Sequence, residues 1–455
     1  MNKNITSKVI LEGSIHKNLF LLSLPGIGIN LLLSINSVAD RFFIGRLGSQ
    51  SIAVVTVVQE LRIAMLTILI AVSVGAAAII GRAVGSKDLS EAGHALRQTV
   101  LVSLVVGSLV GIAVSVFAKP ILLLLGVSGA SLMQATGYLR WSMCALPSLF
   151  LLVTGNTLFS VLGEPRKGFY AVFMAVTTNI IFDYLLIFGH YGFPKMGLAG
   201  GAIALGISQT VGVIAFFCYL KTTVMAGALS KSWAFDMRMI RRLLHIGLPA
   251  AVRQGTVSLT ALLVQAMIWR TTHGIQASAA LGIGILVESI AFLPGAAFAT
   301  TAGAYVSQNL GAKQPQRALI AAYSALYQAV AIMSLAGVAF YFAAPGITVL
   351  LLPNDNELDS GRLAVQYLRL VAFSQPMIAI HIVLSGVLNA AGETHGPRNV
   401  SIIGSAFRIT LVAAFIYIFK LDIFGIWLAI TLTPIVTSIM TWSIFRRKVW
   451  LETTV

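Results

Sequence analysis

The segment RKGFYAVFMAVTTNIIFDYLLIFGH, Arg166–His190, decides the fold. Between Lys167 and His190 its only formal charge is Asp183. The apolar run is long enough to cross the roughly 30 Å hydrocarbon core of a bilayer as one helix. Comparable runs bracket it on both sides. Membrane helices are expected at about 17–40, 50–82, 94–118, 128–157, 166–190, 198–221, 244–270, 277–309, 316–343, 363–390, 399–419 and 422–445.

The bulk composition agrees. Of 455 residues, 57% are hydrophobic and 10% charged, with a mean hydropathy of +0.90. A soluble fold is about 25% charged and could not cover its surface with so few charges. The net charge of +16 would in a soluble protein raise nucleic acid as a partner. Here the basic residues lie between apolar runs, so they report topology, and no nucleic-acid partner is expected. The N-terminus, the loops after even-numbered spans and the C-terminus hold about nineteen Lys and Arg, against about seven elsewhere. Both termini are therefore expected in the cytoplasm of a multi-pass cell-membrane protein. One opposite loop is acidic, with Asp355, Glu357 and Asp359. Residues 1–17 are polar and the run after them has no small-residue cleavage site, so it reads as the first span and not as a signal peptide. Cys144 and Cys218 fall inside apolar runs and read as small core residues.

The chain repeats. LSLP at Leu22–Pro25 recurs as IGLP at Ile246–Pro249; GRAVGSKD from Gly81 matches QNLGAKQ from Gln308; LGEPRKG from Leu162 matches AGETHGP from Ala391. Three pairs in order at one offset of about 224–230 residues point to a duplicated six-helix unit. The expected fold is all-α and membrane-integral. About twelve transmembrane helices would form two six-helix lobes, 1–221 and 244–455, related by pseudo-two-fold symmetry and joined by a cytoplasmic linker, 222–243. Pro25, Pro249 and Pro294 mark places where a span can bend.

Ionisable residues inside spans are expensive and therefore informative. They are Asp40, Glu60, Arg62, Arg140, Asp183, Arg253, Glu288, Arg369 and Arg408. Asn179 precedes Asp183 by one turn, and Asn36 precedes Asp40 by one turn, so each helix presents an amide and a carboxyl on one face. Brought together, these faces would make an oxygen-rich pocket for a proton or Na⁺. The plainer readings are an interfacial Asp40 anchored by Arg41 and a helix–helix hydrogen-bond clamp at Asp183. The repeat places Ala266 and Val412 opposite the two acids, so the second half lacks them. Glu288 has no obvious partner in the sequence, and His381, deep in a span, reads as a hydrogen-bonded core or cavity residue.

In its ordered motifs the chain resembles the multidrug and toxic compound extrusion (MATE) transporters from about residue 10 to 448. The carriers are LSLP, ADRFFIGRLG from Ala39, GAAAIIGRAVGSKD from Gly75, LGEPRKG, NIIFD at Asn179–Asp183 and GLAGGAIA from Gly197. The resemblance implies two six-helix lobes, a monomer, and export of small organic, often cationic, substrates driven by a proton or sodium gradient, with no cofactor. Its DinF-like branch implies a coupling site in the first lobe at Asp40, Asn179 and Asp183. From the reading of the residues themselves, Asn36, Pro25 and Glu288 are further candidates for the substrate cavity or for coupling support. A Thr frequent in the sixth span of relatives is Leu205 here, which removes an oxygen ligand and favours H⁺ over Na⁺. The seventh span reads AAVRQGTVSL from Ala250, without the acid of NorM-like members. A lipid-linked or anionic-substrate flippase, using Arg62, Arg253, Arg369 and Arg408 on a phosphate headgroup, is the alternative. With scattered His and no HExxH, GxSxG or phosphate-cradling loop, an enzyme is not expected.

Overall fold

The computed structural model describes residues 10–47, 49–125, 130–268, 271, 274–351 and 358–453. Among them the regular structure is helical, with no strand. The helices are α1 Ile15–Gly45, α2 Ser49–Gly85, α3 Leu89–Val116, α4 Ala118–Leu124, α5 Ala130–Cys144, α6 Leu146–Val161, α7 Pro165–Phe188, α8 Leu198–Leu220, α9 Met237–Ile268, α10 Gly274–Gly311, α11 Pro315–Leu351, α12 Leu358–Ala372, α13 Gln375–Ala391, α14 His395–Ala413 and α15 Asp422–Arg446. Among the described residues, ten helices are long and apolar enough to span a membrane, and twelve spans result if each of two bent pairs is one crossing.

The bent pairs correct two spans expected as single helices. Leu132–Cys144 meets Leu146–Val161 at 47°, and Ser360–Ala372 meets Gln375–Ala391 at 55°. In each case a proline opens the second member: Pro147 in α6 and Pro376 in α13. Proline lacks the N–H of a continuing ladder and its ring crowds the carbonyl four residues earlier, but it fits a helix start. Prolines placed mid-helix behave differently: α1 runs through Pro25, α9 through Pro249 and α10 through Pro294. The acidic residues Asp355 and Glu357 and the side chains of Asp359, Arg41 and Glu60 lie outside the described residues, while the backbone of Asp359 belongs to α12.

The chain forms two compact units. The first is Leu24–Leu248 with Ser307–Lys313 and the described residues before Ser14; the second is Ser14–Ser23, Pro249–Val306 and Gln314–Val455. The first is centred on Leu69, Leu139, Met143, Phe150 and Ile187; the second on Ile268, Tyr367, Leu368 and Trp427. The repeated motifs fold into the same turns. After α6, Gly163 is left-handed, its N–H donates to Ser160 O and Glu164 N–H to Phe159 O. After α13, Gly392 is left-handed, its N–H donates to Asn389 O and Glu393 N–H to Leu388 O. Both are helix-terminating turns that favour glycine. Lys87 and Lys313 likewise share a left-handed backbone after α2 and α10.

α9 begins at Met237, inside the stretch expected as linker. The chain ahead of it is tied to α3: Gln98 Nε2 donates to Ala234 O (2.7 Å), Asp236 N–H donates to Gln98 Oε1 (3.0 Å), His94 Nε2 meets Asp236 Oδ2 (2.9 Å) and Arg97 Nη1 donates to Ala228 O (3.0 Å). Asp236 Oδ1 also accepts from the N–H groups of Arg238 and Met239, which caps α9. Cys144 and Cys218 are free and exposed, a correction to their reading as core residues. A membrane helix is apolar toward lipid as well as toward its neighbours, so hydropathy does not separate the two faces.

Candidate functional site

The acids of the first unit stand at the junction of α1 and α7. Asn36 and Asp40 share a face near the end of α1, and Asn179 and Asp183 share a face of α7. Asn36 Nδ2 donates to Asp40 Oδ2 (3.3 Å) and to Asn179 Oδ1 (2.9 Å), while Asn179 Nδ2 donates to Asp183 Oδ2 (3.1 Å). Two amides thus relay between two carboxyl groups, and the carboxyl groups are themselves adjacent. Asn179 and Asp183 are each 2% exposed, whereas Asn36 and Asp40 are half-buried.

Glycine lets the neighbouring helix close over this site. A Cβ on Gly200 would stand 2.6 Å from Leu186 O, so α8 can approach α7 this closely only without a side chain there. A Cβ on Gly201 would reach ordinary contact with Asp183 Oδ1, at 3.8 Å. The GLAGG run therefore presses α8 against the Asp183 turn. Leu205, buried on α8, offers no oxygen.

Asn36 Oδ1 and Asp40 Oδ1 are buried acceptors with no protein donor. Carboxyl and amide oxygens of this kind fit a proton or a hard monovalent cation. Among the described residues no three His, Cys, Asp or Glu side chains gather into a metal site, so any cation here would rely on amide and carboxyl oxygens together. Arg62 on α2 and Tyr138 on α5 lie close enough to act on charge at Asp40. Arg62 Nη1 donates to Gln59 Oε1 (3.3 Å); with its amide oxygen turned toward Arg62, Gln209 accepts from Nη2 (3.2 Å) and donates to Ala145 O (2.9 Å). Tyr138 carried no signal in the sequence, being an aromatic in an apolar run.

The remaining expected residues lie elsewhere. Pro25 is fifteen positions before Asp40, about 22 Å along α1, and takes no part in the relay. Glu288 belongs to the second unit, where Tyr367 Oη donates to its Oε2 (3.1 Å) and Arg408 is the nearby cation. The sequence hid this partnership because Tyr367 is far along the chain. His381 Nδ1 meets Thr441 Oγ1 (2.9 Å), the hydrogen bond expected of it. Arg369 lies over the Tyr341 ring (5.5 Å), and Arg140 Nε donates to Ser115 O (3.2 Å).

Comparison with known proteins follows the same division of the chain. The MatE family model matches residues 25–185 and 249–416, one segment in each half. The FAD transporter of Shewanella oneidensis is 31% identical over 314 residues, 68% of each chain. The probable multidrug resistance protein YoeA of Bacillus subtilis is 24% identical over 421 residues, 91% of this chain and 90% of that one. An outward-facing structure of a multidrug resistance MATE family transporter of the MOP superfamily superposes with a TM-score of 0.89 at 18% identity, covering 99% of both chains. With its duplicated all-helical membrane fold and a family match across both halves, the chain belongs to the MatE (MATE) family of multi-pass membrane transporters, which are not enzymes.

Proposed function

We propose that this chain is a proton-coupled antiporter that exports small organic compounds of the multidrug type across the cell membrane, with Asp40 and Asp183 as the shared protonation site. The observation that carries this reading is the Asn36–Asn179 relay, which holds the buried Asp183 and the half-buried Asp40 carboxyl groups side by side. Two adjacent carboxylates in a poorly hydrated site repel each other, and a shared proton removes the repulsion. Protonation from outside would relax the pair, let α1 shift against α7 and lower substrate affinity; deprotonation inside would restore it. By linkage, substrate and proton then weaken each other's binding equally. Leu205, which adds no oxygen, supports a proton over Na⁺ as the coupling ion. The basic bias of the termini and even-numbered loops supports cytoplasmic termini, and a monomer surrounded by lipid suffices for the site described.

The test is export of a fluorescent cationic dye from proteoliposomes under imposed pH or sodium gradients. Export driven by pH and lost in Asp40→Asn supports the proposal; export driven by sodium alone overturns the choice of ion. A second reading, transport of organic anions, is favoured by two observations: the 31% identical Shewanella protein is named for FAD, a pyrophosphate, and the Nε of a membrane-embedded arginine of the second unit, Arg253, is buried without an acceptor among the described residues. Export of FAD in the same proteoliposomes distinguishes the two.

A further inference from the structure

The second unit carries an arginine inside a membrane span whose buried Nε has no acceptor among the described residues. Arg253 lies on α9 about 24 Å along the helix from Met237, in the middle of the span. The side chain is half-buried, and its Nε is buried without an acceptor. The carboxylates in the described spans of this unit are Asp422, the first residue of α15, and Glu288, which is committed elsewhere. Its Oε2 accepts from Tyr367, and the cation near it is Arg408. That arrangement is built in: a Cβ on Gly284, one turn before Glu288, would stand 2.0 Å from Tyr367 Cε1, so only glycine leaves room for the ring that reaches the carboxyl group.

What Arg253 does have nearby is His381. Thr441 Oγ1 donates to Thr437 O (2.7 Å), so it must accept from His381 Nδ1 (2.9 Å). With Nδ1 the donor, the neutral ring keeps its lone pair on Nε2. That lone pair can accept one N–H of a neighbouring guanidinium and orient it, leaving the other N–H groups of Arg253 as donors. A guanidinium fork matches the paired oxygens of phosphate or carboxylate, and an unpaired charge at this depth is costly.

We infer that Arg253, supported by His381, is a binding site in the second unit for the phosphoryl or carboxyl group of an organic anion. The inference rests on the reading of the chain as a transporter and deepens its organic-anion form by naming the residues that hold the charge. Two sources carry this chemistry: a soluble phosphorylated substrate, or the headgroup of an anionic phospholipid.

The experiment uses the full-length protein in phosphatidylcholine nanodiscs at fixed pH and without gradients. Radiolabelled ADP is the soluble probe, and nanodiscs doped with phosphatidic acid, read by thermal stabilisation, are the lipid probe. Saturable ADP binding is expected for wild type. It should weaken about tenfold in Arg253→Gln, less in Arg253→Lys, which keeps the charge but loses the fork, and remain at the wild-type level in Arg398→Gln, a control arginine at the start of α14. Stabilisation by phosphatidic acid alone, lost in Arg253→Gln, would identify the lipid headgroup as the occupant. If neither probe distinguishes wild type from the Arg253 variants, the inference is overturned; should Arg253→Gln not fold, Arg253→Lys decides. Because no gradient is used, an export assay that runs on sodium would refute the coupling proposal and leave this result standing.

Discussion

Replacing Asn179 by Ala removes the central member of the relay. Two hydrogen bonds vanish, one from Asn36 across to α7 and one onward to Asp183. Interhelical hydrogen bonds in membranes are worth about 0.6 kcal/mol each on average, and a buried partner left unsatisfied costs about 1–3 kcal/mol more. Asp183, at 2% exposure, has little access to water that could replace the lost donor. The expected loss is therefore about 2–4 kcal/mol of unfolding free energy. Thr177→Ala, two positions away on an exposed face of α7, should change stability by less than about 0.5 kcal/mol. Denaturant unfolding of the two variants in the same detergent measures the difference, and pH-driven dye export in proteoliposomes measures the coupling. Asn179→Ala should be less stable and poorly coupled. A variant as stable as Thr177→Ala, with full pH-driven export, would refute the reasoning that the amide holds the two carboxyl groups in place.

Other expectations follow from single contacts. Gly200→Ala sets a methyl group 2.6 Å from Leu186 O and should cost about 1–3 kcal/mol by prising α8 from α7, measured as a lower unfolding midpoint. Gly284→Ala drives the Tyr367 ring off Glu288 and should destabilise the second unit by a similar amount, about 1–3 kcal/mol, while Tyr367→Phe in the same assay isolates the hydrogen bond. At the start of α9, the His94 hydrogen bond, helped by the Arg238 backbone N–H, holds the Asp236 carboxyl below its usual range. The stabilisation from a depressed carboxyl is present above the unfolded value of about 3.9 and is lost as pH falls through the lower folded value. His94→Ala should therefore speed amide exchange at Arg238 and Met239 at neutral pH, and make their protection fail at a higher pH during acidification.

Much of this was legible in the sequence because membrane cost is a local property. A lone carboxyl in an apolar run, with Asn179 one turn before Asp183, exposes both residue type and helix face without reference to the rest of the chain. The repeat was equally readable, since Gly163 and Gly392 occupy turns that favour glycine. The bends were not, because Pro147 and Pro376 open helices in apolar stretches that hydropathy joins into one span. Tyr138, the Tyr367–Glu288 bond and the His94–Asp236 tie join residues far apart in sequence, and no local pattern marks them. Exposed Cys144 and Cys218 were misassigned for a solvent reason: lipid and protein core are both apolar.

The most direct measurement is proton release on substrate binding by the solubilised protein in weak buffer. A cationic dye that binds should release protons from wild type and none from Asp183→Asn or Asp40→Asn, because the pair that gives up the proton is broken. Equal release from wild type and both variants would contradict the assignment of Asp40 and Asp183 as the coupling site.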